Sequence, residues 1–336
     1  LPGSISTVGE ASLNNFNMKW GRIDSPEMYH VGASSFSDNK VWFINQKDTS
    51  LLERVGLVDL VGAAGGIKSY FSIQGVEFAY IAYIDGNCAS ARIYNLENFD
   101  IALQMPCIPS DAPVDLGGVG GGWVAINNDE ILFSTGAPTM SHVGSQINRV
   151  AQDTKNWWGK SLNLKYVDGL LEVSVFTTGH RNIQGMAIVD DLIYSVEHGP
   201  RGGDELNVLK IGVNYGWPMH SFGSEYDLSQ INKDLKNPKK ITGPLYSFVP
   251  SIGISDVGAC PESYAQYFAP NLCTAVSSLI GNSIYFIVHD GTKVFFTEVI
   301  NFSSRIRKFK FIGDKLIAIT DFEGAIVGKL SLLKTD

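Results

Sequence analysis

Helical periodicity is scarce in this chain, and long apolar runs are missing. No stretch of about 18 consecutive apolar residues occurs, so no transmembrane helix is expected. Basic charge is in deficit: Lys and Arg number 26 against 34 Asp and Glu, a net charge of −8. That balance argues against a nucleic-acid partner, which needs a basic patch. Cysteine is limited to four residues, Cys88, Cys107, Cys260 and Cys273. None forms a CxxC pair, which removes a zinc ribbon from consideration. Neighbours in sequence, Cys88 with Cys107 and Cys260 with Cys273, suit two disulfides in an oxidising compartment. Four reduced, half-buried thiols are the other reading. No linker or low-complexity stretch divides the chain, so residues 1–336 read as one domain. The opening LPGSIS has neither a charged start nor an apolar signal core. The chain is therefore expected to be cytosolic or to have lost a signal before Leu1.

What the chain does contain suits many short strands. Of its 336 residues, 44% are hydrophobic, 11% are aromatic and 35 are glycines. One grammar recurs: alternating apolar strand, short polar turn, apolar strand. Trp123-Val124-Ala125-Ile126 turns at Asn127-Asn128-Asp129 into Ile131-Leu132-Phe133. Met186 to Val189 turns at Asp190-Asp191 into Leu192-Ile193-Tyr194. Ile284 to Ile287 turns at Asp290-Gly291 into Val294 to Phe296, and Phe309 to Ile312 turns at Gly313-Asp314 into Leu316 to Ile319. Such runs around Asn, Asp and Gly are hairpin signals, and their repetition predicts a sandwich, barrel or propeller. Blades of roughly 40–50 residues would give about six in this length. A short surface helix is expected only within Asp227 to Lys240, before Pro238.

Two dense polar clusters flank the Met186–Tyr194 hairpin. Gly179-His180-Arg181-Asn182-Ile183-Gln184-Gly185 precedes it, and Glu197-His198-Gly199-Pro200-Arg201-Gly202-Gly203-Asp204-Glu205 follows it, running on to Asn214-Tyr215-Gly216-Trp217-Pro218. A solvated loop does not need His, Arg, Asn and Gln within five residues. The glycines would let backbone carbonyl oxygens turn inward, because glycine tolerates φ > 0.

These three segments resemble the soluble pyrroloquinoline-quinone-dependent sugar dehydrogenases, the glucose/sorbosone and aldose sugar dehydrogenases. The family pattern is GHRNPQG, EHGPRGGDE and NYGWP, with Ile183 here in place of Pro. Weaker likeness lies in Ala151-Gln152-Asp153 with Gly159-Lys160, in Ser304-Arg305-Ile306-Arg307 followed by Thr320-Asp321, and in Gly65-Gly66. The resemblance implies an exported, periplasmic or secreted, six-bladed β-propeller. It would be an oxidoreductase acting on an aldose or related sugar alcohol and passing electrons to a carrier. The quinone is a flat tricarboxylate, and guanidinium forks suit carboxylates. By resemblance, Arg181, Arg305 and Arg307 would hold its carboxylates, while Asn182 and Gln184 would bond its ring or quinone oxygens. Calcium, which takes oxygen ligands, would be held against the quinone by the carbonyls of Gly199 and Pro200. Asp204, Glu205 and the carbonyl of Tyr215 would belong to structural calcium sites. His180 and His198 read as structural support rather than as the base.

The resemblance implies a catalytic histidine in an HxGGR-like segment, and there this chain departs. Aligning the glycines of Gly117 to Gly122 and the following hairpin puts Val119 where the histidine belongs and Trp123 where the arginine belongs. The flanking glycines are expected to leave room for an imidazole at position 119. His142, on a neighbouring loop, is an alternative base. A lysine that some members place after a Ser-Leu pair is here Ile280, following Ser278-Leu279. The catalytic residue is therefore unassigned, and a second reading stands beside the enzyme: a non-catalytic, calcium-stabilised propeller that binds a glycan or a protein.

Overall fold

The computed structural model describes residues 5–24, 31–37, 40–109, 115–138, 149–231 and 240–333. Almost all ordered elements are strands, and they form six sheets: two of five strands, three of four and one of two. Two short α-helices, Thr49–Arg54 and Glu262–Phe268, are the only ones among the described residues. The sheets succeed one another along the chain, and the leading strand of each lies beside the leading strand of the next. That order runs through Val31–Ser37, Gly66–Ile73, Gly120–Ala125, Ile183–Val189, Ile254–Ala259 and Ile306–Ile312. The expected all-β propeller is thus the observed fold. Residues 227–231 form turns and irregular chain rather than helix. The rest of that expected helix, and His142, lie outside the described residues.

Turn chemistry explains the hairpins. Val189 pairs with Leu192 across Asp190 and Asp191, whose φ values are 49° and 61°. Two positive φ values in a two-residue loop match the right-handed twist of the flanking strands, and aspartate tolerates them. The other three hairpins read from sequence also pair as expected, through Ala125 with Ile131, Ile312 with Lys315, and His289 with Val294.

Alternating side chains of adjacent sheets fill the spaces between them. One layer stacks Phe71, Phe78, Tyr80, Phe133 and Trp158, all at most 1% exposed. Each such ring removed from water contributes roughly 1.5–3 kcal/mol. The remaining polar atom of Trp158, its indole N–H, donates to the Pro106 carbonyl at 2.8 Å. The four cysteines are joined as Cys88–Cys107 and Cys260–Cys273.

The ends of the described chain meet in one sheet. Phe16–Ile23 pairs antiparallel with Ala325–Leu332, from Phe16 opposite Leu332 to Ile23 opposite Ala325. Phe16 is fully buried, and its ring lies 5.1 Å from that of Tyr264 in the helix of the preceding sheet. A closed ring has no free inner edge, so this seam carries both pairing and core. Phe16→Ala should therefore destabilise the protein by about 3–5 kcal/mol, the range for emptying a buried aromatic site. Urea unfolding followed by circular dichroism measures it; a loss below about 1 kcal/mol would show that the seam contributes little to closure.

Candidate functional site

The polar clusters sit where the inner strands begin. A cleft of about 550 Å³ opens there, lined by Asp115, Gly117, Arg181, Asn182, His198 to Gly202, Asp204, Tyr226, Pro250, Ser251, Gly253, Leu279, Ile280 and Arg305. The fold thus gathers Arg181, Asn182, Gly199, Pro200 and Asp204 from one sheet and Arg305 from another around one opening. Gln184 and Arg307 are not in its lining. Glu205 and Tyr215 line a much smaller cavity of about 10 Å³, which shares Arg181 and His198 to Pro200 with the cleft.

Buried carboxylates position the cleft wall. Glu197 accepts hydrogen bonds at Oε1 from Asn207 Nδ2 at 3.0 Å and at Oε2 from the Arg181 backbone N–H at 2.8 Å. His180 Nδ1 lies 2.9 Å from Glu197 Oε1, and its Nε2 lies 2.8 Å from Thr177 Oγ1. His180 is fully buried and stacks on Tyr215 with ring centroids 4.9 Å apart. Both ring nitrogens are thus engaged away from the cleft, and this histidine is structural. Asp204 takes four donors: Gly199 N–H at 3.0 Å and Ser251 Oγ at 2.8 Å on Oδ1, and the N–H groups of Ile252 and Ile254, each at 3.0 Å, on Oδ2. Burial opposes its charge, but the nearby His198 ring and these donors hold Asp204 below the usual carboxylate range. Glu205 goes the other way. Burial, reinforced by the charges of Glu197 and Asp204, pushes it well above the usual range, and Asn207 Nδ2 at 3.3 Å offsets this only partly.

Two of the arginines share one partner. Arg305 Nε donates to Asp321 Oδ2 at 2.8 Å, and Arg307 Nε donates to Asp321 Oδ1 at 2.7 Å. Asp321 is 6% exposed, so a buried carboxylate orients both guanidinium groups through Nε alone. Arg181 donates from Nη1 to the His198 carbonyl at 3.1 Å and lies 5.5 Å from the Trp217 ring centre, where the ring face favours a cation. The two amides largely serve the backbone. Asn182 Oδ1 accepts from Gly120 N–H at 3.1 Å and from Gln184 Nε2 at 2.8 Å, and Asn182 Nδ2 donates to the Gly117 carbonyl at 3.4 Å.

Position 119 differs from expectation in one respect. Val119 is fully buried within the apolar layer of Phe71 and Phe133, and its carbonyl accepts from Tyr80 Oη at 3.2 Å. The flanking glycines are places of close approach rather than free space. A Cβ on Gly122 would lie 2.9 Å from the Gly185 nitrogen, and one on Gly136 would lie 1.9 Å from the Gly118 oxygen. An imidazole at 119 would therefore overpack the core and would not reach the cleft. Ile280, where some relatives carry lysine, does line the cleft and is 69% exposed.

Two groups, Asp115 and Lys68, escaped the motif reading, and a third, Lys160, was noted only as part of a weaker likeness. Asp115 faces the cleft and accepts at Oδ1 from Gly117 N–H at 2.7 Å. Its sequence signal was an acidic residue just ahead of the glycine run. Lys68, on the inner strand Gly66–Ile73, is pushed down to about 8 by burial, with Asp115 opposing the shift and Lys47 and Arg307 reinforcing it. Lys160 is fully buried, and its ammonium donates to the carbonyls of Val150, Trp158 and Ala151 at 2.7, 2.7 and 3.0 Å.

The glucose/sorbosone dehydrogenase family model matches residues 108–327. The chain belongs to that family. An aldose sugar dehydrogenase of Escherichia coli is 46% identical over 54 residues, 16% of this chain and 15% of that one. Quinoprotein glucose dehydrogenase B of Acinetobacter calcoaceticus is 33% identical over 88 residues, 23% of this chain and 18% of that one. The matched stretches span less than a fifth of either relative. Among solved structures, the soluble aldose sugar dehydrogenase of Escherichia coli in its apo form superposes with a TM-score of 0.68 at 18% identity, covering 97% of this chain and 100% of that one. The quinone (PQQ)-bound aldose sugar dehydrogenase of Streptomyces coelicolor gives 0.56 at 16% identity, covering 98% of each chain. At such identities the likeness is one of fold.

Lys160 holds the Val150–Trp158 loop through its ammonium, and the Ala151 carbonyl of that loop also accepts from Gly179 N–H at 3.0 Å. Lys160→Met would remove a donor from three carbonyl groups; those of Val150 and Ala151 keep a backbone N–H, from Asp153 and Gly179, and that of Trp158 is left unpartnered. Stability should fall by about 1–3 kcal/mol, the cost of one unpartnered buried group. A melting temperature unchanged within error in calorimetry would show that water replaces the ammonium.

Proposed function

We propose that this protein is an exported, single-domain oxidoreductase that oxidises an aldose or related sugar alcohol, with pyrroloquinoline quinone in the cleft and calcium beside it. The observation that carries this reading is the convergence of Arg181 and Arg305 on one cleft that the Gly199–Pro200 loop also lines. The donor chemistry fits the group: guanidinium forks for carboxylates, carbonyl oxygens for a hard cation, and a volume within the roughly 300–1,000 Å³ of small-molecule sites. Bound there, the quinone supplies a two-electron acceptor. Arg305, held by Asp321, would fix one carboxylate, and Arg181 a second. Arg307, held by the same carboxylate, would add charge from behind. Export accords with two disulfides. No described helix is long and apolar enough to cross a membrane.

The base cannot be the residue at position 119, and His180 is committed elsewhere. Asp115 is the acidic cleft residue nearest that corner, and Lys68 supplies positive charge beside it. We assign proton removal from the sugar hydroxyl to Asp115. A placed base contributes roughly 10²–10⁴-fold, so Asp115→Asn should lower dye reduction with aldoses by about that factor while leaving quinone affinity within about three-fold. Dye-linked turnover at saturating quinone and calcium, paired with quinone titration, tests both halves. Equal turnover in the variant rules Asp115 out. The second reading, a propeller that binds without catalysis, is favoured by the burial of Val119. It would stand if quinone and calcium give no shift in absorbance or fluorescence with the natural protein.

Calcium is a separate expectation. Among the described residues no group of three His, Cys, Asp or Glu stands close enough to hold a metal, so its ligands would be carbonyl oxygens with a single carboxylate. Glu205 meets that need better than Asp204, whose oxygens already take four donors. Its cavity of about 10 Å³ suits one ion or water. A ligand bound only to the native state raises the melting temperature by mass action. Calcium should therefore raise it in the natural protein, and more so at pH 8 than at pH 5, because a carboxyl with a raised pKa holds a competing proton at the lower pH. Glu205→Gln should abolish that rise. In chelator the same variant should melt no lower than the natural protein, since a buried like charge beside Glu197 has gone. A rise that persists in the variant would move the metal elsewhere.

A further inference from the structure

A second cavity lies at the other end of the inner strands. It measures about 510 Å³ and is lined by the far halves of four leading strands: Trp123 to Ala125, Met186 to Ile188, Asp256 to Ala259 and Lys308 to Phe311. It shares no lining residue with the cleft. Between them lies a polar layer. Lys308 Nζ donates to Asp256 Oδ1 at 3.0 Å and to the Gln184 carbonyl at 3.1 Å, while Asp256 Oδ2 accepts from Phe309 N–H at 3.3 Å.

The chemistry of this mouth is specific. Trp123, Met186, Val257, Phe309 and Phe311 supply apolar and aromatic walls. At the strand ends Ile126, Ile188 and Ile312 are 39%, 41% and 41% exposed. Single exposed isoleucines are ordinary, but Ile188 lines the cavity and Ile126 and Ile312 directly follow lining residues of two other strands, which makes an apolar rim suited to a ligand. Lys308 and Asp256 neutralise each other at the floor, and Lys310 adds one positive charge to the lining. An ammonium has three donors, and two of those of Lys308 are engaged, so one remains for an acceptor on the ligand. Walls favour a flat ring, and the free donor asks for a carbonyl oxygen.

We propose that this mouth binds a planar, carbonyl-bearing ring compound of the quinone class, at a site distinct from the cleft. The site requires neither the cofactor nor turnover, so it stands or falls independently of the redox reading.

Gly258 offers a clean test. A Cβ there would meet only the Phe309 ring, at 3.5 Å, an ordinary contact, and no positive φ constrains the position. A larger side chain at 258 therefore enters the cavity without displacing backbone. Menadione, a neutral naphthoquinone, would be titrated by equilibrium dialysis into the natural protein, Gly258→Leu and Ile280→Arg, with melting checked for each. The natural protein should bind at saturation with one equivalent. Gly258→Leu should bind roughly ten-fold weaker or worse, as expected for a built-in clash, at an unchanged melting temperature. Ile280→Arg, which alters the cleft only, should bind as the natural protein does. If Gly258→Leu melts early, Ile188→Glu at the exposed rim replaces it and should weaken binding likewise. Absence of saturable binding overturns the proposal. So does loss of binding in Ile280→Arg with retention in Gly258→Leu, which would put the ring in the cleft.

Discussion

The geometry of the cleft depends on one carboxylate that is almost wholly buried. Asp204 collects N–H and O–H donors from Gly199 on one side and from Ser251, Ile252 and Ile254 on the other. It thereby ties the Gly199–Gly203 loop of one sheet to the entry of the next leading strand. A carboxylate with four donors is stabilised in its charged form even where burial opposes it. Within that loop the N–H groups of Gly199, Arg201 and Gly203 donate to Asp204 Oδ1 and to the carbonyls of Ser224 and Phe248. Glu197 does the same one layer deeper for the Arg181 backbone, His180 and Asn207. The charges nearest the loop are therefore structural, and the cations around the cleft stay available.

A propeller axis is crowded at the backbone level and open at its ends. Where the leading strands approach most closely, glycine is required: at Gly122 against Gly185, any Cβ would collide with backbone. Just beyond that constriction the strands diverge and leave a cavity at each end. One end receives polar loops and becomes the cleft. The other receives the far halves of the same strands, whose alternating apolar residues make an aromatic-walled mouth. The Lys308–Asp256 pair sits between them, and its partners explain why two charged groups tolerate burial there.

Membership of the glucose/sorbosone dehydrogenase family accounts for the residues this chain retains and sharpens the meaning of those it lacks. Arg181, Arg305 and the Gly199–Pro200 loop line one opening, with Arg307 outside it. Val119, aligned from sequence with the family's histidine, packs beside Phe133 in the core. Ile280, aligned likewise with a lysine of some members, is exposed in the cleft.

Much of this was legible in the linear chain. Short apolar runs around Asn, Asp and Gly predicted hairpins because turn geometry is local: Asp190 and Asp191 carry their own preference for positive φ. The clusters at 179–185 and 197–205 announced a site because so many polar side chains have no purpose on a solvated turn. The direction of each side chain was not legible. Whether Asn182 faces a ligand or the Gly120 N–H, whether position 119 faces the cleft or the core, and whether Asp204 or Glu205 keeps free oxygens all depend on groups dozens of residues away. The same holds for Asp115, Lys68 and the second mouth, each assembled from strands distant in sequence. Local preference determined the hairpins and the chemical character of the loops. Long-range packing around the axis decided which of those groups meet, because burial and hydrogen-bond satisfaction are properties of the closed ring.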